Sequence, residues 1–273
     1  MAAPGKKKKG MPAIVWLHPY SYSTGYTPAY GQSRVYEELT AAGFAVLAYD
    51  QLGFGLRLPQ GGTTFYARYG GRSSIFGHMV KDARSAVDFL YCRSEQGAGN
   101  ATCDGWATGG ALKSIPTIDF DRVFVMGYSL GGNVALHAAA LDSRVKGVAS
   151  FAGFTPFRTD TADKPTGGLR RLAEMHALLP RLGQFIGNEE QVPYDYGELL
   201  EAIAPRPTLL YTPTEDRDAT HADVAAAVKS AQAAWEEAGA GDQLTHSSPE
   251  QITQMGETEA AAAVAWAKKV AGV

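Results

Sequence analysis

Apolar and polar positions alternate along the chain in blocks that switch between two periods. Short apolar runs rich in β-branched and aromatic residues predict strands at Pro12–His18, Phe44–Tyr49, Asp121–Met126, Val145–Phe151 and Thr208–Thr212, with a short one at Asp242–Thr245. Between them lie longer stretches with apolar residues three and four apart. These predict helices over Ser33–Ala42, Phe76–Arg93, the stretch from Leu130, Thr220–Glu237 and Glu257–Val270. The Phe76–Arg93 stretch shows the pattern well, with Met79, Val80, Ala83, Ala86, Val87, Leu90 and Tyr91 on one face. Leu56–Ser74 reads as a long glycine- and aromatic-rich loop. Strands alternating with helices predict an α/β fold: a mostly parallel sheet of about six strands with helices on both faces. Right-handed crossovers then place every strand C-terminus on one edge, where functional loops collect.

Two regions break this rhythm. One is the proline- and glycine-rich stretch 155–199, with a single predicted helix at Leu169–Leu179. A long insertion after a strand end is expected to lie over the site as a cap. The other is the start of the chain, where Lys6–Lys9 form a basic run. Residues 1–11 therefore read as a flexible, solvated segment, and 12–273 as a single domain.

Composition narrows the function classes. The chain has 273 residues, 45% apolar and 19% charged, with a net charge of −3. That is ordinary for a globular protein and gives no electrostatic reason to expect a nucleic-acid partner. No apolar run is long enough to span a bilayer, so no membrane partner is expected. The two cysteines, Cys92 and Cys103, flank a polar, glycine-rich stretch that a possible disulfide would staple. No histidine or third cysteine stands near them at metal spacing. A bridge would favour a secreted or periplasmic location; the compartment is otherwise open.

The chemistry centres on Gly127-Tyr128-Ser129-Leu130-Gly131, set between a predicted strand and a predicted helix. A serine at such a turn holds a strained backbone, and glycines two residues away on either side remove Cβ atoms that would collide. The following helix aims its N-terminus, with unpaired N–H groups, at the serine. Ser129 is thus the candidate nucleophile and the Leu130 N–H the first oxyanion donor. The second donor is expected from the loop after the first strand. Pro19 has no N–H, which leaves Tyr20 or Ser21, with Tyr20 the choice. His18 reads as structural, and Asp50 as a turn-stabilising residue.

A serine hydroxyl needs a base. Among six histidines, His137 points away along the Ser129 helix, His78 starts an earlier helix, His176 lies in the insertion, and His221 opens a helix close to the acidic cluster. His246, after the last short strand, is the candidate base. For the acid, Asp216 is the candidate, followed by Asp218, which could instead cap the next helix, and then Glu215. The aromatics Tyr20, Tyr22, Tyr26, Phe65, Tyr66, Tyr69, Phe154 and Phe157 fall near strand ends, and Tyr22, Tyr66 and Phe154 are the candidate substrate contacts.

These pieces resemble the α/β-hydrolase superfamily, and within it the dienelactone hydrolase and acetylxylan esterase-like group. The likeness rests on His18-Pro19-Tyr20, on Gly127-Tyr128-Ser129-Leu130-Gly131-Gly132, and on Asp195-Tyr196-Gly197-Glu198 leading to Ala204-Pro205-Arg206-Pro207. It implies a Ser129–Asp216–His246 triad and a carboxylesterase acting through an acyl-enzyme, without cofactor or metal. Small-molecule or polymeric esters are the implied substrates, acetylated carbohydrate among them. The resemblance has two departures. Pro19 stands where the group has Gly, and the usual first two strands are missing, which leaves a sheet edge for a possible homodimer. A dienelactone hydrolase proper would use cysteine at the elbow. A prolyl-oligopeptidase-like peptidase and a non-catalytic binding protein are the alternatives.

Overall fold

In the computed structural model, residues 10–27, 32–104 and 114–273 are described. The expected basic segment 1–11 lies almost wholly outside them. The strands are β1 (Met11–Leu17), β2 (Ala45–Ala48), β3 (Ile118–Tyr128), β4 (Val148–Phe151), β5 (Thr208–Tyr211) and β6 (Leu244–Ser247). They form one sheet in the order β2-β1-β3-β4-β5-β6, and every pairing is parallel. Among the described residues β2 and β6 are the edges.

Alternation along each strand divides the core in two. Ala13, Val15 and Leu17 of β1 face one side; Ile14 and Trp16 face the other. The first side is covered by α2 (Gly62–Tyr69), α3 (Ile75–Cys92), α4 (Leu130–Leu141), α5 (Tyr196–Glu201) and α6 (His221–Glu237). The second is covered by α1 (Gln32–Ala41) and α7 (Glu257–Ala271) through Val35, Leu39, Ala260, Ala263 and Trp266. Both faces of a parallel sheet are buried, which explains why the strands read as continuous apolar runs.

Three expectations need correction. The stretch 56–74 is not all loop: α2 forms within it and buries Phe65, which periodicity missed because the helix has only eight residues. The helix expected at Leu169–Leu179 is shorter and irregular. Its centre, Arg171–Met175, is a π-helix that ends at His176. The last strand begins and ends later than expected, so His246 lies inside β6 rather than in a loop.

Two sequence features become structural parts. Cys92 and Cys103 are bridged, at the end of α3. The Ala-Pro-Arg-Pro segment enters β5 through a cis Ala204–Pro205 bond. There Arg206 donates to the carbonyls of Ala139 (2.7 Å), Asp142 (3.1 Å), Val145 (3.0 Å) and Ile203 (3.0 Å). Helix ends leave carbonyls unpaired, and a guanidinium satisfies several at once. The segment therefore ties the C-terminus of α4 to the start of β5. No described helix is long and apolar enough to cross a membrane.

Candidate active site

The centre of the site is the turn from β3 to α4. Ser129 sits there at φ 51° and ψ −119°, a region side chains rarely occupy. Its own N–H donates to Phe151 O of β4 at 2.7 Å, and its C=O accepts from Asn133 at 3.0 Å. The glycine spacing has a direct steric cause. A Cβ on Gly127 would meet the Gly131 carbonyl at 2.3 Å, and one on Gly131 would meet Leu17 O at 2.0 Å. The elbow is thus wedged against the end of β1, which carries the candidate oxyanion loop.

That loop is fixed by His18, which is fully buried. Its Nε2 accepts from the Gln51 N–H at 2.9 Å, so Nδ1 carries the hydrogen and donates to Pro19 O at 2.7 Å. Gln51 Nε2 returns a bond to His18 O at 2.7 Å. Burial lowers the His18 pKa and keeps the ring neutral. Asp50 accepts from Tyr26 and Leu56 N–H groups, holding the two loops at this edge together.

Ser129 opens into a small cavity of about 90 Å³, lined also by Tyr20, Leu130, Asn133, Ala152, Arg171, His176 and Asp218. A shallower cleft of about 280 Å³ adjoins it across Tyr20 and His176 and is floored by Leu52, Phe54, Leu58 and Thr63. The insertion forms one wall of both. It is anchored by polar contacts: Asp160 accepts from Thr166 and Arg170 N–H groups, Arg170 pairs with Glu189, and Arg171 pairs with Asp218.

The candidate residues are not all brought together. Ser129, Leu130 and Tyr20 converge on the cavity. Asp218 lines it, whereas Asp216 lies behind, accepting the Asp218 N–H at 2.9 Å. Burial, and then the adjacent Asp218 charge, raise the Asp216 pKa. From the loop after β6, the buried Thr253 hydroxyl faces Asp216 and works in the opposite direction. His246 does not line the cavity. It pairs in register with Leu210 of β5, three strands from β3, which at about 4.8 Å per strand is roughly 14 Å. Its Nε2 is instead within 2.6 Å of Thr212 Oγ1 and 2.9 Å of Ser248 Oγ. Burial, and then His221, lower its pKa. The loop position expected for His246 was wrong because β6 extends through it.

The substrate-contact candidates also divide. Phe154 is buried against Tyr196, with ring centroids 4.6 Å apart, and belongs to the core rather than to a binding surface. Tyr22 is exposed and stacks edge-on against Tyr20 at 4.8 Å. The Tyr66 hydroxyl donates to Ala177 O at 2.5 Å, so it holds the insertion. The residues that sequence reasoning passed over are His176 and Arg171. The available signal was only that the insertion should cover the site.

Family and fold comparisons agree on one neighbourhood. A family model described as acetyl xylan esterase (AXE1) matches residues 1–161, and one described as glucuronyl esterase, fungi, matches residues 88–239. A curated relative, the putative hydrolase YtaP of Bacillus subtilis (strain 168), is 27% identical over 157 residues. That match covers 52% of this chain and 44% of the relative, so the chain aligns with less than half of that protein. Among solved structures, a CE15 glucuronoyl esterase from Caldicellulosiruptor kristjansonii superposes with a TM-score of 0.67 at 19% identity, over 96% of this chain and 69% of its own. A promiscuous CE15 esterase from the marine bacterial metagenome gives 0.69 at 17%, over 96% and 74%. Methylesterase BT1017 gives 0.63 at 19%, over 98% and 50%. At these identities the structural matches speak for the α/β-hydrolase fold.

Proposed function

The chain belongs to the acetylxylan-esterase-like group of α/β hydrolases, and from that premise we propose that it is a serine carboxylic-ester hydrolase with Ser129 as its nucleophile. The observation that carries this reading is the strained Ser129 at the N-terminus of α4, opening into a cavity. Ser129 Oγ attacks the ester carbonyl carbon and forms an acyl-enzyme, and water then releases the acid. The Leu130 and Tyr20 N–H groups would hold the oxyanion. The Leu130 donor is one of the first-turn N–H groups for which a helix has no internal acceptor.

The dimensions favour a short acyl group. The Ser129 cavity is small, whereas the adjoining cleft between Tyr20, His176 and the exposed Leu58 is larger and leaves room for the alcohol part of the ester. Acetylated carbohydrate suits this division, and the family supports it. The test is hydrolysis of p-nitrophenyl esters of increasing acyl length, beside Ser129→Ala. Activity greatest on acetate and abolished in the variant is the expected result. Activity that survives Ser129→Ala would remove the nucleophile assignment.

A further inference from the structure

The six histidines can be sorted by what holds them. His18 is locked in the loop after β1, and His246 is held among Thr212 and Ser248 of the sheet edge. His137 is buried, donates from Nδ1 to Asn133 O at 2.9 Å and accepts from the Tyr194 hydroxyl at 2.9 Å; burial takes its pKa to about 4. His78 packs edge-on against Phe65. His221 is exposed at the start of α6. Of the six, only His176 lines the Ser129 cavity.

Its presentation is built rather than incidental. His176 ends the π-helical turn Arg171–Met175, an irregularity that marks functional positions in many helices. The next residue, Ala177, is held at φ 47° although it is not glycine. Three contacts fix that turn: Tyr66 donates to Ala177 O, and the Leu178 and Leu179 N–H groups both donate to Leu172 O, at 2.8 and 2.9 Å. The imidazole itself stacks on Tyr20, with centroids 4.1 Å apart. It therefore shares the cavity with Ser129 and rests on the residue whose N–H is the candidate oxyanion donor.

We propose that His176, carried by the insertion, is the general base for Ser129, an inference that rests on Ser129 being the nucleophile. In acylation an unprotonated His176 nitrogen takes the Ser129 hydroxyl proton as Oγ bonds to the carbonyl carbon. The resulting imidazolium gives that proton to the departing alkoxide, so the alcohol leaves and the ring is neutral again. Deacylation repeats the exchange with water as the attacking group and Ser129 Oγ as the leaving group. The charged groups facing His176 are Arg171 of its own turn and Asp218 from the loop after β5; the Tyr20 phenol, from the loop after β1, stays protonated through burial. Burial first, then Arg171, lower the His176 pKa, and Asp218 opposes them. One oxygen of Asp218 is buried and accepts no hydrogen bond, with Arg217 Nε 3.6 Å from it; the carboxylate can balance a transient imidazolium from there.

The experiment compares Ser129→Ala, His176→Ala and His246→Ala by kcat and KM on a p-nitrophenyl acetate series, with and without added imidazole. The expected result is a loss in kcat of about 10²- to 10⁴-fold in His176→Ala, with KM little changed and partial rescue by imidazole. His246→Ala should stay within a few-fold of wild type. A His176→Ala kcat within a few-fold of wild type, or a loss that imidazole does not restore, overturns the proposal. Ser129→Ala that keeps activity overturns the nucleophile reading instead. Arg171→Gln keeps the imidazole and gives a second readout: the acid limb of kcat/KM should move to higher pH, because a cation that depresses His176 is gone. An unmoved limb also counts against His176.

Discussion

The elbow and the insertion reach the same cavity by opposite routes. The elbow is local. Gly127, Ser129 and Gly131 lie within five residues, and their arrangement follows from where a Cβ can and cannot stand. The insertion is held partly within itself, by Arg170 with Glu189, and partly from afar: Arg171 by Asp218 and Ala177 by Tyr66 of α2. A motif set by backbone sterics repeats in any chain that makes the same turn. A wall set by distant polar contacts can be rebuilt chain by chain. The proposed nucleophile is thus placed by local backbone geometry, while the proposed base depends on what the insertion presents.

Changes at the elbow should have the largest effects. Ser129→Ala should remove ester hydrolysis to background, a fall of 10³-fold or more, with a thermal midpoint near that of wild type. Next, Gly131→Ala puts a methyl group 2.0 Å from Leu17 O. It should destabilise by about 1–3 kcal/mol, read by urea unfolding, and lower kcat by displacing the oxyanion loop. If Gly131→Ala proved neutral in both, the wedge between the elbow and β1 would not be what orders the site.

The insertion should respond differently. The folded His176 pKa is lowered, so the base is present at neutral pH and activity should fall as pH drops through a value below the usual histidine range. Asp218→Asn removes the anion that opposes this shift and should move the acid limb of kcat/KM lower still, provided Arg171 keeps its place. Tyr66→Phe deletes one hydrogen bond to the Ala177 turn. It should cost about 1 kcal/mol or less in stability but several-fold in kcat, because the turn presents His176. Loss of stability without loss of kcat would make the Ala177 contact merely structural.

The same contrast explains what could be read from the chain. Five strands and the elbow were legible because apolar runs and glycine spacing are local signals. Arg206 was legible as a family mark, yet its task of satisfying the carbonyls at the end of α4 needed the fold. His246 was chosen for an expected loop position after the last strand, and the structure instead places it inside β6, away from the Ser129 cavity. Two more residues of β6 keep it in the sheet, and Thr253 faces Asp216 from the loop beyond. Phe154 misled because a strand-end aromatic can pack inward, here on Tyr196. For His176 the only signal was its place in the insertion expected over the site: neither a π-turn nor a left-handed Ala177 has a sequence pattern, and one contact that fixes the turn, Tyr66 with Ala177, comes from more than a hundred residues away.

The most direct measurement is the rate at which a fluorophosphonate modifies the protein, with the modified residue identified by mass spectrometry, in wild type and in His176→Gln. Labelling of wild type at Ser129, slowed by about 10²-fold or more in the variant, is the result this account predicts. Labelling at another residue, or Ser129 labelling that is indifferent to His176, would contradict it.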